Sequence, residues 1–331
     1  MKQFIQNKLL ITTFCGLVLF TSCLVNVANA TLIPFQSFSG HVAMSTDGWG
    51  GLSDQGIISA SAGVNSTVLA AYLYTATIST NSTPTVELDG NVVTFGPEVT
   101  NTSYTTLGSH RADVTTIVKN KIDNGVGGVY NFDIEETLLG NQVDGSALVV
   151  VYENALLDVA TVGILDGFTD INGDTTAINF GLPLSPNAPG FFAEMVLGIS
   201  YSCCDQASEV KVNGTTITSV AGNNDDGEDV SDGSLITVGG YDDPFTPSNP
   251  TYQQDHERYN LVPYITDGDT SININTNNPS NNDNIFLAGF YVSGVASFNE
   301  KPPTGVPEPS TLAIFALGMI GLASRRFKKQ S

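Results

Sequence analysis

The chain has 331 residues, with 33 acids against 12 lysines and arginines and a formal net charge of −21. Two of the cations stand near the start (Lys2, Lys8) and four at the end (Arg325, Arg326, Lys328, Lys329), which leaves six between them: Arg111, Lys119, Lys121, Lys211, Arg258 and Lys301. A body this negative repels nucleic acid and anionic lipid, so nucleic-acid binding is excluded and the surface is that of a soluble envelope protein or a cation binder.

Lys2 and Lys8 precede an apolar run from Leu9 to Val25, and Ala28-Asn29-Ala30 closes it with small residues at the two positions a signal peptidase inspects. This layout predicts a secretory signal peptide over 1–30, cleaved after Ala30. Phe20-Thr21-Ser22-Cys23 loosely fits a lipoprotein box, with Phe20 where leucine is usual. Cys15 and Cys23 leave with the signal, so the exported chain keeps the adjacent pair Cys203 and Cys204. Export permits oxidation, but neighbouring cysteines close only through a strained eight-membered ring. A vicinal disulfide, free thiols and pairing between chains therefore compete.

The exported body of about 270 residues is long enough for two medium domains. Helical periodicity is nearly absent and short β-branched runs recur between turn residues, which predicts an all-β fold. Strands are expected at 57–62, 68–78, 85–88, 92–95, 104–107, 128–134, 147–152, 160–166, 192–201, 209–212, 215–220, 235–238, 271–275 and 285–295. Asp89-Gly90 and Asn213-Gly214 lie between alternating runs, where paired positive-φ residues make tight hairpins. The one helix predicted is Val114–Lys121, with Asp113 as its cap.

An internal echo runs through this pattern. Ala71–Tyr74, Val86–Gly90, Arg111–Val114 and Ala147–Tyr152 are followed in the same order by Met195–Gly198, Val210–Gly214, Tyr259–Leu261 and Ile285–Tyr291. Each set holds an apolar strand, a hairpin strand, a polar corner and a second buried strand. That order predicts one or two jelly-roll-like antiparallel sandwiches, drawn as domains 31–183 and 184–300 with a join in the proline-rich Leu182–Gly190.

Catalytic signatures such as G-x-S-x-G and H-E-x-x-H are absent, and His41, His110 and His256 lie far apart, as surface or strand-end residues would. Glu135 with Glu136, and His256 with Glu257, are the best acid pairs, yet neighbours along a strand face opposite ways. Asp170, Asn172 and Asp174 place oxygens at alternate positions with Asp166 nearby, like the start of a calcium loop. Thr175 and Gly181 then stand where glycine and the bidentate acid belong, so a full EF-type loop is not expected. A second acidic loop runs from Asp225 to Asp232 without register. Trp49 is expected to pack in the core or at a corner, while Tyr241, Tyr252, Tyr259 and Tyr264 are candidates for stacking on sugars.

After Lys301, a stiff spacer over 301–305 leads to Val306-Pro307-Glu308-Pro309. An uncharged run from Leu312 to Ala323 follows, and Arg325-Arg326 closes the tail over 306–329. The prolines keep the box extended and outside the next helix. A dozen residues reach roughly 18 Å against about 30 Å of hydrocarbon, so the transmembrane helix is undersized and built for temporary anchorage, with its cations as the stop. These residues resemble the PEP-CTERM sorting signal of Gram-negative bacteria. The resemblance implies recognition of Pro307, Glu308 and Pro309 by an exosortase, a separate membrane enzyme, with Arg325 and Arg326 as the stop. The body resembles an uncharacterised domain of bacterial surface proteins at Ala71–Tyr74, Asp113–Thr115, Leu148–Glu153 and Leu165–Phe168, which implies a β-rich extracellular module.

The leading expectation is a non-enzymatic protein of the cell envelope or extracellular matrix. It is processed by signal peptidase and exosortase and held briefly in the inner membrane by its C-terminal helix. The alternatives are a module for carbohydrate or exopolysaccharide stiffened by Ca²⁺, and a secreted glycan hydrolase.

Overall fold

The computed structural model describes residues 32–299 apart from 51–52, 79–82, 102–106, 138–142, 171–172, 202–207, 223–235, 242–244, 246–256 and 279–283. The expected signal peptide with Ala28 and Ala30, the tail over 306–329 with its expected membrane helix, and Cys203 with Cys204 lie outside the described residues. So do Asn172, Asp225–Asp232, Tyr252 and His256.

The chain opens with β1 (Ile33–Gly40) and turns at His41 into β2 (Val42–Trp49). It continues through β3 (Gln55–Ala62), β4 (Thr67–Thr77), β5 (Thr85–Leu88), β6 (Asn91–Val92), β7 (Val99–Thr100) and β8 (Gly108–Asp113). Helix α1 (Thr115–Ile122), β9 (Gly128–Thr137) and β10 (Val143–Glu153) follow. The second half has β11 (Ala160–Asp166), β12 (Asp174–Phe180), β13 (Ala193–Ser200), β14 (Ser208–Val212) and β15 (Thr215–Ala221). It ends with β16 (Ile236–Val238), β17 (Arg258–Asn260), β18 (Ser271–Asn277), β19 (Asn284–Ser293) and β20 (Ala296–Phe298).

In the first half β2-β10-β4-β8-β7 form one sheet and β3-β9-β5-β6 another. In the second half β11-β19-β13, with β16 and β17 on β13, form one sheet, and β15-β14-β18-β12 the other. The order of strands along the chain and across each sheet matches between halves: β2, β3, β4, β5, β6, β8, β9 and β10 correspond to β11, β12, β13, β14, β15, β17, β18 and β19. All pairings are antiparallel, and each half is an eight-stranded jelly roll. β1 extends the second roll by pairing with β11, and β20 does so by pairing with β12. The segment 181–192 connects β12 to β13 within that roll.

Small details repeat with the topology. Asp89 and Gly90 have φ of 49° and 69°, and Asn213 and Gly214 have 49° and 82°, as tight hairpins require. The side chain of Asp89 accepts from the amide of Asp133 at 3.0 Å, and that of Asn213 from the amide of Asn273 at 2.9 Å. At the corner after β8 the amide of Val114 donates to Ala71 O, and after β17 that of Leu261 donates to Ala193 O. α1 follows the first corner and a single 3₁₀ turn, Val262–Tyr264, the second. α1 begins one residue later than expected, with Val114 rather than Asp113 at its N-cap, and Asp113 Oδ1 accepts from the amide of Thr115 at 2.9 Å.

The rolls stack face to face, which makes four layers and three cores. Leu73, Leu148, Phe132 and Ile134 fill the first roll together with Val118 and Ile122 of α1. Leu165, Met195, Phe290, Ile178 and Ile272 fill the second. Between them Met44, Tyr74, Val149, Val162, Ile164 and Phe286 form a central core that joins the inner sheets. Inner strands are therefore buried on both faces, β11 along its whole length and β10 up to Glu153. Outer strands such as β9 and β12 alternate.

β2 is the clearest departure from the sequence expectation. Its Ser-Thr-Asp content reads as loop, yet it is an inner strand whose polar groups are all engaged. Ser45 Oγ accepts from the amide of Ser61 at 2.8 Å, Thr46 Oγ1 donates to Gly239 O at 2.5 Å, and Asp47 accepts from the amide of Ser59. Of Arg111–Val114, read as a corner, the first three residues end β8 and Val114 makes the corner itself.

Candidate functional site

The polar chemistry among the described residues gathers at two places along the inner sheets. The first lies at the end of the first roll where β9 leads towards β10. Period-two alternation puts Phe132, Ile134 and Glu136 on one face of β9, so Glu136 enters the core while Glu135 faces solvent and accepts from Gln55 Nε2 at 3.0 Å. Glu136 is 3% exposed and so is Asp144 on β10. Ser146 donates to Glu136, the Ser146 and Thr75 hydroxyls lie 2.7 Å apart, and the amide of Tyr201 donates to Asp144. Tyr201 holds a left-handed φ of 65° at that point.

Glu136 Oε1 and the indole nitrogen of Trp49 have no hydrogen-bond partner among the described residues. Burial pushes the Glu136 carboxyl up to about 8, against the pull of Ser146, and the charge of Asp144 adds to the rise. Burial likewise pushes Asp144 up to about 7, offset in part by the Tyr201 amide. Burial of this kind favours the protonated, uncharged form of each carboxyl.

Trp49 packs in the core as its size demands, with its ring over Gly56 of β3, where an added Cβ would lie 2.3 Å from ring carbons. His110 departs from the expectation of a surface residue: it is buried on β8, with its ring edge-on to Phe95 at 6.1 Å. His41 is exposed at its turn and its Nδ1 donates to Leu157 O at 2.6 Å. Glu257 is buried, and its carboxylate accepts from the amide of Gly222 at 2.8 Å.

The second place is the rim between the inner sheets. Asp166 accepts from Tyr74 Oη at 3.3 Å and pairs with Arg111, whose guanidinium lies 3.4 Å from the centre of the Phe35 ring. Burial pushes the Asp166 carboxyl up, and Arg111 and Tyr74 offset only part of that rise. Of the other expected calcium ligands, Asp174 accepts from the amides of Leu32 and Thr175 at 2.8 and 2.9 Å, and the carbonyl of Asp170 accepts from the amide of Gly173. Among the described residues no three of His, Cys, Asp and Glu come together as a metal would require. Asp166 and Asp174 have spent carboxylate oxygens on the fold.

The tyrosines scatter. Tyr259 is buried in the second core, a correction to its reading as exposed, and Tyr241 lies under the Arg258 guanidinium at 4.9 Å. Tyr264 lines an open polar groove of about 600 Å³ with Asn213, Thr215, Thr266, Asp269 and Asn273. The first roll has a groove of about 440 Å³ at the corresponding place, between its hairpin and α1, and there Lys121 bridges to Asp89 at 2.5 Å.

Sequence alone pairs Glu136 with Glu135 on opposite faces of a strand without saying which of the two enters the core. Counting by two from Phe132 was the available signal, because it assigns an acid to the core face.

No described helix is long and apolar enough to cross a membrane. Residues 305–329 match the family described as the PEP-CTERM protein-sorting motif, which supports a protein that is exported and sorted by an exosortase. No curated protein matches the chain. Among solved structures, "Crystal structure of BuGH86wt in complex with neoagarooctaose" aligns at a TM-score of 0.20 and 10% identity, over 83% of this chain and 35% of that one. The chain thus spans about a third of that structure's length.

Proposed function

We propose that this chain is a non-enzymatic exported protein of the cell envelope or extracellular matrix, delivered as the substrate of an exosortase, with the paired jelly rolls as its working body. The observation that carries the reading is the sorting motif at 305–329. Its parts suit the physics of a sorting tail: the box at Pro307, Glu308 and Pro309 stays extended, the run from Leu312 to Ala323 enters lipid, and Arg325 and Arg326 stop it. Where such a protein meets exopolysaccharide, the groove beside Tyr264 offers a ring, amides and a carboxylate together. The test is intact mass of the protein recovered from its native host, with and without replacement of Pro307, Glu308 and Pro309 by alanine. The wild type should lack its leader and carry a processed tail, and the variant should keep the tail. Identical masses at the C-terminus would remove the sorting account.

A further inference from the structure

We propose that one end of the double roll is a membrane-docking face, a row of apolar turn tips that enters the headgroup region of a neutral lipid bilayer. The proposal rests on the reading that the tail enters the membrane. Six large apolar side chains stand 46% to 89% exposed on the turns of this end: Val64, Val126, Leu156, Val159, Leu182 and Val295. Strand pairing puts all of them at the same end, because β3, α1, β10, β12 and β19 all finish there.

The turns touch in sequence across the four layers. A Cβ on Gly127 would lie 2.5 Å from Val64 N, and Asn154 of the β10–β11 turn donates to Val64 O at 2.9 Å. Gly294, beside Val295, donates to Val159 O at 2.9 Å. Leu182 and Val295 rim a groove of about 440 Å³ floored by Phe180, Leu184 and Phe191. Apolar tips held by a rigid β scaffold present a row of side chains to lipid without ordering any new chain.

The occupant follows from where the chain goes. The described chain ends at Asn299, whose amide donates to Ala177 O on β12. β20 runs antiparallel to β12 and pairs Ala296 with Phe180, so Asn299 lies beside the middle of β12, about 10 Å from the apolar end and as far from Asp174 at the other. Six residues, 300–305, separate Asn299 from the sorting box, a reach of about 20 Å when extended. An inserted tail therefore holds either end within reach of the bilayer; the exposed apolar row decides which one docks, and tethering makes contacts count that would be too weak between separate partners. The opposite end offers Asp54, Asp170 and Asp174, with Ile33 and Val99 as separate exposed apolar residues and no comparable apolar row among the described residues. Exposed Glu153 and Asp158 beside Leu156 make neutral lipid the better surface than anionic lipid.

The full chain carries a single tryptophan, the buried Trp49, so new tryptophans report cleanly. Leu156→Trp, Leu182→Trp, Thr175→Trp and Phe315→Trp would be reconstituted singly in phosphatidylcholine vesicles containing brominated lipid. Phe315→Trp reports the tail, and Thr175→Trp reports the exposed start of β12 at the far end. The expected result is loss of more than half the added emission at 156, 182 and 315, and none at 175. Adding Val295→Asp and Leu182→Asp to the Leu156→Trp chain should restore its emission, and phosphatidylserine should weaken quenching at the tips. Quenching at 315 with none at 156 or 182 overturns docking and leaves the tail reading intact, whereas no quenching at 315 overturns the tail reading itself. Tips that cross-link between copies while staying unquenched in vesicles would assign the face to a second copy and end the proposal.

Discussion

The inner and outer sheets of this molecule solve different burial problems, and their sequences differ accordingly. β10 and β11 face a core on each side and carry nearly unbroken apolar runs, whereas β9 and β12 alternate because one face meets water. The exception teaches most: β2 is buried at every position but the half-buried Asp47 while carrying Ser45 and Thr46 as well, because each of the three finds a backbone partner. Two-sided burial demands satisfied groups, and apolar residues are only the commonest way to supply them.

The largest effect should come from the core that the two rolls share. Phe286 is fully buried between the inner sheets, and Phe286→Ala should cost about 3–5 kcal/mol. Thermal or urea unfolding should show one transition, displaced as a whole. Two transitions with the earlier one unmoved would mean that the central core does not couple the rolls.

Next comes the acidity of the first core. A carboxyl with a raised folded value keeps its proton in the fold at pH values where the unfolded chain has lost it. Its stabilising contribution is therefore complete below about pH 4 and is lost as the pH climbs through about 7 for Asp144 and about 8 for Glu136. The urea midpoint should fall across that window, by about 1.4 kcal/mol for each unit by which a folded value stands above the unfolded one. Glu136→Gln should remove a large part of the slope, and an unchanged slope in that variant would show that Glu136 is ionised in the fold.

A smaller effect tests how closely an outer strand approaches an inner one. Gly56→Ala drives a Cβ into the rigid Trp49 ring and should cost about 1–3 kcal/mol. Gly63→Ala, whose Cβ meets Asn154 Nδ2 at an ordinary 3.4 Å, should stay within about 0.5 kcal/mol. Equal melting temperatures for the two variants would show that β3 can back away from the ring.

Much of this architecture was legible before any coordinates. The echo of Ala71–Tyr74 in Met195–Gly198, and of Ala147–Tyr152 in Ile285–Tyr291, marks paired strands at equivalent places in the two inner sheets, and the two hairpins fall where Asp89-Gly90 and Asn213-Gly214 put them. β8 and β12 were hidden for a common reason. Arg111 and Asp174 are charged residues in strands, and charge read locally means loop until a partner is known. The sorting tail was legible from its chemistry alone, because Pro307, the apolar run and Arg325 need no tertiary partner to announce their roles. Among the described residues Asp166 and Asp174 are engaged by Arg111 and by two backbone amides, partners of which the alternating oxygens of Asp170, Asn172 and Asp174 give no sign.

The last strand has a mechanical meaning. β20 is held by three residue pairs at a sheet edge, while β19 behind it is clasped by β11 and β13 along nearly its whole length. Tension applied through the C-terminus therefore peels β20 away first and lengthens the leash by a few residues. The load then meets β19 lengthwise, where every bond must yield together. A cell surface under shear would find in this protein a short, reversible slack ahead of a stiff stop.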